Sequence, residues 1–301
     1  MDTSTGSETM QHLILGGTGT VGGAVARELL ARGEDVKVLT RSAAKAGSLP
    51  EGAAAVVGDL RDPGCYHTVF SRFDTLFLLN AVAETELQEG LAAVNEARRA
   101  GAARIVYLSV HDAEKGPHIP HIAAKMAIEE AIRRSGIAYT ILRPNNFYQN
   151  DYWFREAIQE HGIYPQPIGD TGISRVDVRD IADAAANALT RSGFENRCYA
   201  LVGPEPLTGT ECARAYGEVF GREVRYAGND LQAWAREAGK MLPGWMVYDF
   251  ALMYALFQDR GLHATAEQVA ETERIVGHLP RTFGDFVQET ATLWTREAVS
   301  V

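Results

Sequence analysis

Short apolar runs alternate with amphipathic stretches through the first half of the chain. His12–Leu15, Val36–Leu39, Ala54–Val57, Thr75–Leu79, Arg104–Leu108 and Ala138–Leu142 read as strands. Gly19–Arg32, Glu84–Ala100 and Ile119–Arg134 carry the spacing of helices and close on Gly33, Gly101 and Gly136, the residue type that best accepts the left-handed turn past a helix end. A further short helix opens at Asp62-Pro63, where proline fits the first turn. Strands that are apolar on both faces belong to a parallel sheet covered by helices on both sides. Right-handed crossovers between such strands predict a doubly wound α/β sheet.

The alternation weakens after about residue 145. A helix is expected over Tyr148–Glu160, then a turn-rich stretch Gly162–Gly172, a helix Asp177–Thr190, a strand Cys198–Val202 and a helix Thr208–Phe220. The last third reads as mostly helical, with Thr282-Phe-Gly-Asp285 resembling a capping box for the final helix. The expected organisation is a disordered tail at 1–10 and a sheet domain at 11–150, with 173–202 returning to it. Residues 151–172 and 203–301 form a smaller, mostly helical part.

Composition narrows the function. The 301 residues are 46% hydrophobic and 23% charged, with a formal net charge of −10. That balance argues against direct nucleic-acid binding, which needs a basic stripe. The polar, acidic N-terminus does not read as a targeting segment. The most apolar stretch, Trp245–Phe257, is too short to span a bilayer and carries Asp249, so no membrane partner is expected. Cys65, Cys198 and Cys212 are scattered, which fits reduced thiols in the cytoplasm better than a disulfide framework. No His/Cys cluster has metal-ligand spacing.

The segment with the clearest chemistry is Leu13-Ile-Leu-Gly-Gly-Thr-Gly-Thr-Val-Gly22, between the first strand and first helix. Five of the 29 glycines fall within Gly16–Gly23. Such a turn lets a pyrophosphate reach free helix N–H groups, so Gly16, Thr18, Gly19, Thr20, Val21 and Gly22 are candidate cofactor contacts. At the end of the second strand an NAD site would carry Asp or Glu for the ribose 2′-OH. Here Thr40-Arg41-Ser42 stands with Lys45 just beyond, while Glu34 and Asp35 lie at the strand's other end. Arg41, with Ser42 and Lys45, points to a 2′-phosphate and hence to NADP(H). Asp59 and Leu60 end the third strand, where Asp59 could accept from an adenine amino group or cap a turn. Asn80 ends the fourth, near the cofactor's middle or as a helix cap.

These residues resemble the NmrA-like group of atypical short-chain dehydrogenases/reductases. The similarity runs through Gly16-Gly-Thr-Gly-Thr-Val-Gly22, Thr40-Arg41-Ser42, Gly58-Asp-Leu-Arg-Asp-Pro63 and Ala102-Ala-Arg-Ile-Val-Tyr-Leu-Ser109. It continues through His121-Ile-Ala-Ala-Lys125-Met-Ala-Ile-Glu129, Ser135-Gly-Ile-Ala-Tyr-Thr-Ile-Leu-Arg-Pro144, Asp177-Val-Arg-Asp-Ile-Ala182 and Pro280-Arg-Thr-Phe-Gly-Asp-Phe286. The resemblance implies a Rossmann domain that prefers NADP(H) and a small C-terminal substrate domain. Typical short-chain reductases use Tyr-x-x-x-Lys, which occurs nowhere in this chain; His121-x-x-x-Lys125 stands in its place. By resemblance Lys125 would contact the nicotinamide ribose and His121 would occupy the proton donor's position, with Ser109 at the usual catalytic serine. Residues four apart share a helix face, and imidazole is a competent acid near neutrality. An exposed Lys125–Glu129 pair is the plainer alternative for the lysine.

Past Arg143-Pro144 comes Asn145-Asn-Phe-Tyr-Gln-Asn-Asp-Tyr-Trp-Phe154, leaving a strand at the edge where doubly wound sheets bind ligands. Phe147, Tyr148, Tyr152 or Trp153 could stack on a flat apolar ligand while Asn145 and Asn146 orient it, and Asn145 is also placed with the cofactor contacts. His111 could line the same pocket or sit in an exposed loop. Trp245–Phe257 reads as buried core, as the roof of that pocket, or as a subunit contact in a homodimer. The expected function is reduction by NADPH of a hydrophobic or aromatic electrophile of quinone, enone or imine type. The alternative is a non-catalytic NADP(H)-binding redox sensor with a regulatory role.

Overall fold

A computed structural model describes residues 10–299, with side chains through 295; the expected tail at 1–10 lies, but for Met10, outside the described residues. The strands are β1 (Gln11–Ile14), β2 (Asp35–Thr40), β3 (Ala54–Val57), β4 (Thr75–Leu78), β5 (Arg104–Leu108), β6 (Ala138–Pro144), β7 (Ile163–Tyr164), β8 (Arg197–Leu201) and β9 (Arg225–Tyr226). Seven of them form one sheet in the order β3-β2-β1-β4-β5-β6-β8. The β1–β2, β1–β4, β2–β3, β4–β5 and β5–β6 pairs are all parallel. Connections from β1 proceed first to one side, through β2 and β3, and then to the other, through β4, β5 and β6. The switch point between β1 and β4 is where such sheets bind ligands, outside their carboxyl ends.

The α-helices are α1 (Thr20–Ala31), α2 (Tyr66–Val69), α3 (Glu86–Ala100), α4 (Pro120–Arg134), α5 (Arg155–Gln159), α6 (Val178–Thr190), α7 (Gly209–Phe220), α8 (Leu231–Ala238), α9 (Gly244–Arg260), α10 (Ala266–Val276) and α11 (Phe283–Val299). None among the described residues is long and apolar enough to cross a membrane.

The chain divides into two compact units. The first comprises residues up to Ser109 with Ala127–Leu142 and Ala182–Cys198. Its core holds Leu13, Leu15, Leu76, Leu78, Ile105 and Tyr107 from the strands against Val94, Ala97, Ile128 and Ile132 from helices. The one polar intrusion in β1, His12, is fully buried and bonded through Nδ1 to Thr75 Oγ1 at 2.6 Å, with Glu34 at 3.3 Å from Nε2. Burial holds its pKa below the ordinary value, against the pull of Glu34.

The second unit comprises Val110–Met126, Arg143–Ile181 and the chain from Tyr199. Its larger core is aromatic, built on Tyr148, Tyr164, Tyr216, Tyr254, Phe257, Phe283, Phe286 and Trp294. The expected helix over Tyr148–Glu160 is instead a 3-10 segment, Tyr148–Phe154, followed by the short α5. A 3-10 turn eclipses side chains three apart, so Tyr148 and Asp151 point inward together. The stretch read as turns contains β7, which pairs with β9 in a small parallel sheet. At α11 the Thr282 hydroxyl accepts from Asp285 N–H at 3.1 Å and donates to Asp285 Oδ2 at 2.7 Å. The carboxylate thus takes the hydroxyl rather than a backbone N–H. Full capping boxes occur at Thr208/Glu211 and Thr265/Gln268.

Candidate active site

The first unit presents the glycine turn between β1 and α1. Gly16 has φ +72°, and a Cβ on Gly22 would lie 2.4 Å from the Gly16 carbonyl oxygen. A Cβ on Gly17 would lie 2.5 Å from Val38 Cγ1, so these positions exist to bring turn, helix and β2 together. Gly19 is different. A Cβ there would meet nothing nearer than 3.4 Å, and it is the N-cap of α1 with no side chain capping the helix. The first turn of α1 therefore offers its N–H groups to an anion from outside. Thr18, Gly19 and Thr20 are exposed beside it, while Val21 and Gly22 are buried in the helix face.

Beyond β2, Arg41 and Lys45 are exposed and Ser42 is half-buried. Neither cation makes an ion pair among the described residues, although ion pairs involving arginine are common elsewhere in the fold. Glu34 is committed to His12 at the strand's other end. Asp59 is committed as well: Arg61 holds both its carboxylate oxygens and donates its backbone N–H at 3.0 Å. That pairing holds the Asp59 carboxyl down at about 2. Leu60 is buried, its carbonyl accepting from Tyr66 Oη at 2.6 Å.

Two more groups stand at the carboxyl ends of the neighbouring strands β4 and β5. Asn80 Oδ1 and Ser109 Oγ are buried and have no hydrogen-bond partner among the described residues. A buried polar atom without a partner costs about 1–3 kcal/mol. Their placement at one edge of the sheet fits a ligand that would complete them. The open glycine turn, the two unpaired cations and these two oxygens form a donor set suited to a phosphorylated dinucleotide.

In the second unit, His121 lies in the first turn of α4 with 7% of its side chain exposed. Asp249 of α9 holds it at two points. Asp249 Oδ2 accepts the His121 backbone N–H at 2.9 Å, and Oδ1 accepts from the imidazole Nδ1. Phe250 meets the ring edge-on at 6.2 Å. Lys125, one turn further along α4, is 7% exposed. Lys125 and Glu129 are both buried, so a pair between them would not be the exposed one considered from sequence, and Glu129 accepts from Arg133 Nη2 at 2.7 Å.

His111 is 2% exposed, so it is not in an exposed loop, and burial holds its pKa below the ordinary value. Asn145 does not present its amide to a ligand. Its Nδ2 donates to the Leu262 carbonyl at 2.8 Å and lies 3.1 Å from His111 Nδ1, while its Oδ1 accepts from Asn146 N–H. His111 Nδ1 must then be an acceptor, and Nε2 carries the proton. Asn146 Oδ1 accepts from Arg175 Nε at 3.0 Å, and the Phe147 carbonyl accepts from Arg175 Nη2 at 2.7 Å.

Tyr148 is a correction to the stacking expectation. It is fully buried and packs between Phe283, at 5.2 Å, and Phe286, at 5.5 Å, leaving no ring face for a substrate. Aromatic density in the sequence does not say which way each ring points; the period-three turn sends this one inward. Tyr152 remains 44% exposed, against Phe286 and Trp294.

Sequence reasoning missed the role of Asp249, although a carboxylate alone in the apolar run Trp245–Phe257 was a visible signal. Nor is α9 buried on all sides. Tyr248 is 63% exposed while Asp249 is 2% exposed.

The model of the NmrA-like family matches residues 8–286. An NAD(P)H azoreductase of Xenophilus azovorans is 32% identical over 283 residues, covering 93% of this chain and 97% of the relative. A (4-alkanoyl-5-oxo-2,5-dihydrofuran-3-yl)methyl phosphate reductase of Streptomyces griseus is 31% identical, over 95% of this chain and 99% of the relative. Among solved structures, the NADPH complex of an Escherichia coli NADPH-dependent quinone oxidoreductase superposes with a TM-score of 0.82 at 24% identity, over 93% of this chain and 99% of that one. The NADP(H) complex of a Citrobacter triphenylmethane reductase gives a TM-score of 0.81 at 24% identity, with the same coverage.

Proposed function

Because the chain belongs to the NmrA-like family, we propose that it is an NADPH-dependent oxidoreductase. Its substrates are hydrophobic, aromatic or conjugated electrophiles of the quinone, enone or imine type. The azoreductase relative supports adding azo compounds to that class. The observation that carries the reading is the unpaired pair Arg41 and Lys45 beyond an uncapped glycine turn. A bidentate guanidinium suits a 2′-phosphate, and Asp59, the carboxylate that feels the charge of Arg41, is already bonded to Arg61.

When bound, the cofactor supplies a hydride. Gly19 and the first N–H groups of α1 receive its pyrophosphate, Arg41 and Lys45 its 2′-phosphate, and Asn80 and Ser109 gain the partners they lack. Lys125 holds the nicotinamide ribose. His121 supplies the proton that a quinone, enone, imine or azo acceptor needs besides the hydride, and recovers it from water. A buried imidazole clamped by a carboxylate favours this enzyme reading over a sensor, which has no use for an oriented acid.

The test is oxidation of NADPH and NADH against a panel of quinones, enones, imines and azo compounds. Turnover with a strong preference for NADPH is expected. Folded protein that binds NADPH yet reduces no acceptor would overturn the proposal.

A further inference from the structure

We infer that Asp249 is the positioning residue of the proton-donating centre, fixing the tautomer of His121 so that Nε2 is the nitrogen that delivers the proton. The inference rests on the reading of His121 as the acid and adds to it the group that makes the acid directional.

Asp249 is the one charged residue between Trp245 and Phe257 and is 2% exposed. A buried carboxylate is tolerated where hydrogen bonds compensate its lost hydration. Here the compensation comes from one residue 128 positions away, and from two of its atoms. The backbone N–H of His121 at 2.9 Å from Oδ2 anchors the main chain, and a carboxylate at a helix N-terminus is electrostatically favoured. A cap alone would be served by one oxygen. The second oxygen reaches the imidazole Nδ1.

A carboxylate only accepts, so Nδ1 must carry a hydrogen in both protonation states. In the neutral ring Nε2 is then a bare acceptor; in the charged ring it is the second donor, and the transferable proton is on Nε2. With the ring edge-on to Phe250 and its other nitrogen held, the imidazole has one orientation in which to give that proton away.

The chemistry separates this role from a structural one. Reducing an azo group replaces the N=N π bond with two N–H bonds. One hydrogen arrives as hydride with two electrons, the other as the proton leaving His121 Nε2, which water then restores. A quaternary iminium ion, of the imine type already proposed, differs. It takes the hydride at its C=N carbon, the C=N π electrons return to nitrogen and quench the positive charge, and no proton is needed. Loss of an oriented acid must slow the first reaction and spare the second, whereas a misfolded pocket slows both.

The test variant is Asp249→Asn. Its amide oxygen can still accept the His121 N–H, while its NH2 faces Nδ1 and forces the proton onto Nε2 of the neutral ring. In nitrogen NMR of histidine-labelled protein, recorded where the ring is neutral, His121 is expected as the Nδ1–H form in the native enzyme and as the Nε2–H form in the variant. NADPH affinity should be unchanged. Turnover of azo or quinone acceptors should fall about 100-fold or more, the range expected for a lost general acid, with quaternary iminium ions reduced at the native rate. A native His121 ring in the Nε2–H form overturns the inference without any variant, as does an equal loss on both acceptor types. His121→Phe separates the two claims. If it leaves azo and quinone turnover intact, the acid reading itself is wrong. If it depresses that turnover while Asp249→Asn does not, only the role of Asp249 falls.

Discussion

Two arginines show how differently the units treat charge. Arg41 stands exposed at the end of β2 with no ion-pair partner among the described residues. Arg175 is fully buried in the second unit with every donor engaged. Its Nε meets Asn146. Nη1 reaches Asp151 and Tyr164, and Nη2 reaches Asp151 and the Phe147 carbonyl. Tyr164 and Tyr216 add their hydroxyls to the same carboxylate at 3.1 and 3.2 Å. Burial pulls the Arg175 pKa down, but Asp151 outweighs it and the guanidinium stays charged. Burial also pushes the neighbouring Cys212 thiol up to about 12, so it remains neutral. A saturated cation stabilises a fold and has nothing left for a ligand. An unsaturated one contributes little to the fold and keeps its hydrogen bonds for whatever arrives.

That contrast sets the largest expected effect. Asp151→Ala leaves Arg175 charged, buried and half-unpaired, and should destabilise the protein by about 3–5 kcal/mol, read as a lowered denaturant midpoint. Arg41→Ala should leave that midpoint alone. It should weaken NADPH binding by about 1.5–3 kcal/mol, the worth of a hydrogen bond to a charged group, while NADH binding hardly changes. Equal losses for the two cofactors would remove the 2′-phosphate role, and a large stability loss would make Arg41 a structural residue like Arg175.

What the sequence disclosed follows the same division. The glycine turn, strands β1 to β6 and the charge at Arg41 were legible because each is local: a few adjacent residues carry the whole signal. The Asp249–His121 clamp was not, since its partners lie 128 residues apart and nothing in either segment names the other. Arg175 was invisible as a hub for the same reason. Tyr148 was placed in a cleft because its neighbours are aromatic, but which ring faces inward depends on a 3-10 turn that periodicity did not reveal. Asn145 was given to the cofactor, yet its amide is engaged by Leu262 and His111, both far from it in sequence.

Protonation offers a smaller effect shared by both units. His12 and His111 are both buried, and burial lowers both pKa values from 6.5. The unfolded chain then binds more protons than the native state around that pH. Their contribution to stability is present above about pH 6.5 and shrinks as the pH falls through the unfolded-state value. Denaturation midpoints should drop between neutral and mildly acidic pH, and replacing either histidine should flatten the profile. A midpoint that rises on acidification would contradict burial of the neutral rings.

The smallest effect is the sharpest test of the comparison. Ser109 Oγ is buried without a partner, while the Ser109 backbone N–H stays in the sheet, bonded to the Leu142 carbonyl at 2.8 Å. Ser109→Ala removes the orphaned hydroxyl and leaves the strand pairing intact. If the hydroxyl is kept for a ligand, the free protein should gain up to about 1 kcal/mol, since its desolvation penalty disappears. NADPH-dependent turnover should fall in the same variant, and the stabilisation conferred by added NADPH should shrink. A variant that is less stable when free would show that Ser109, like Arg175, serves the fold, and the line between a ligand edge and a structural hub would have to be redrawn at β5.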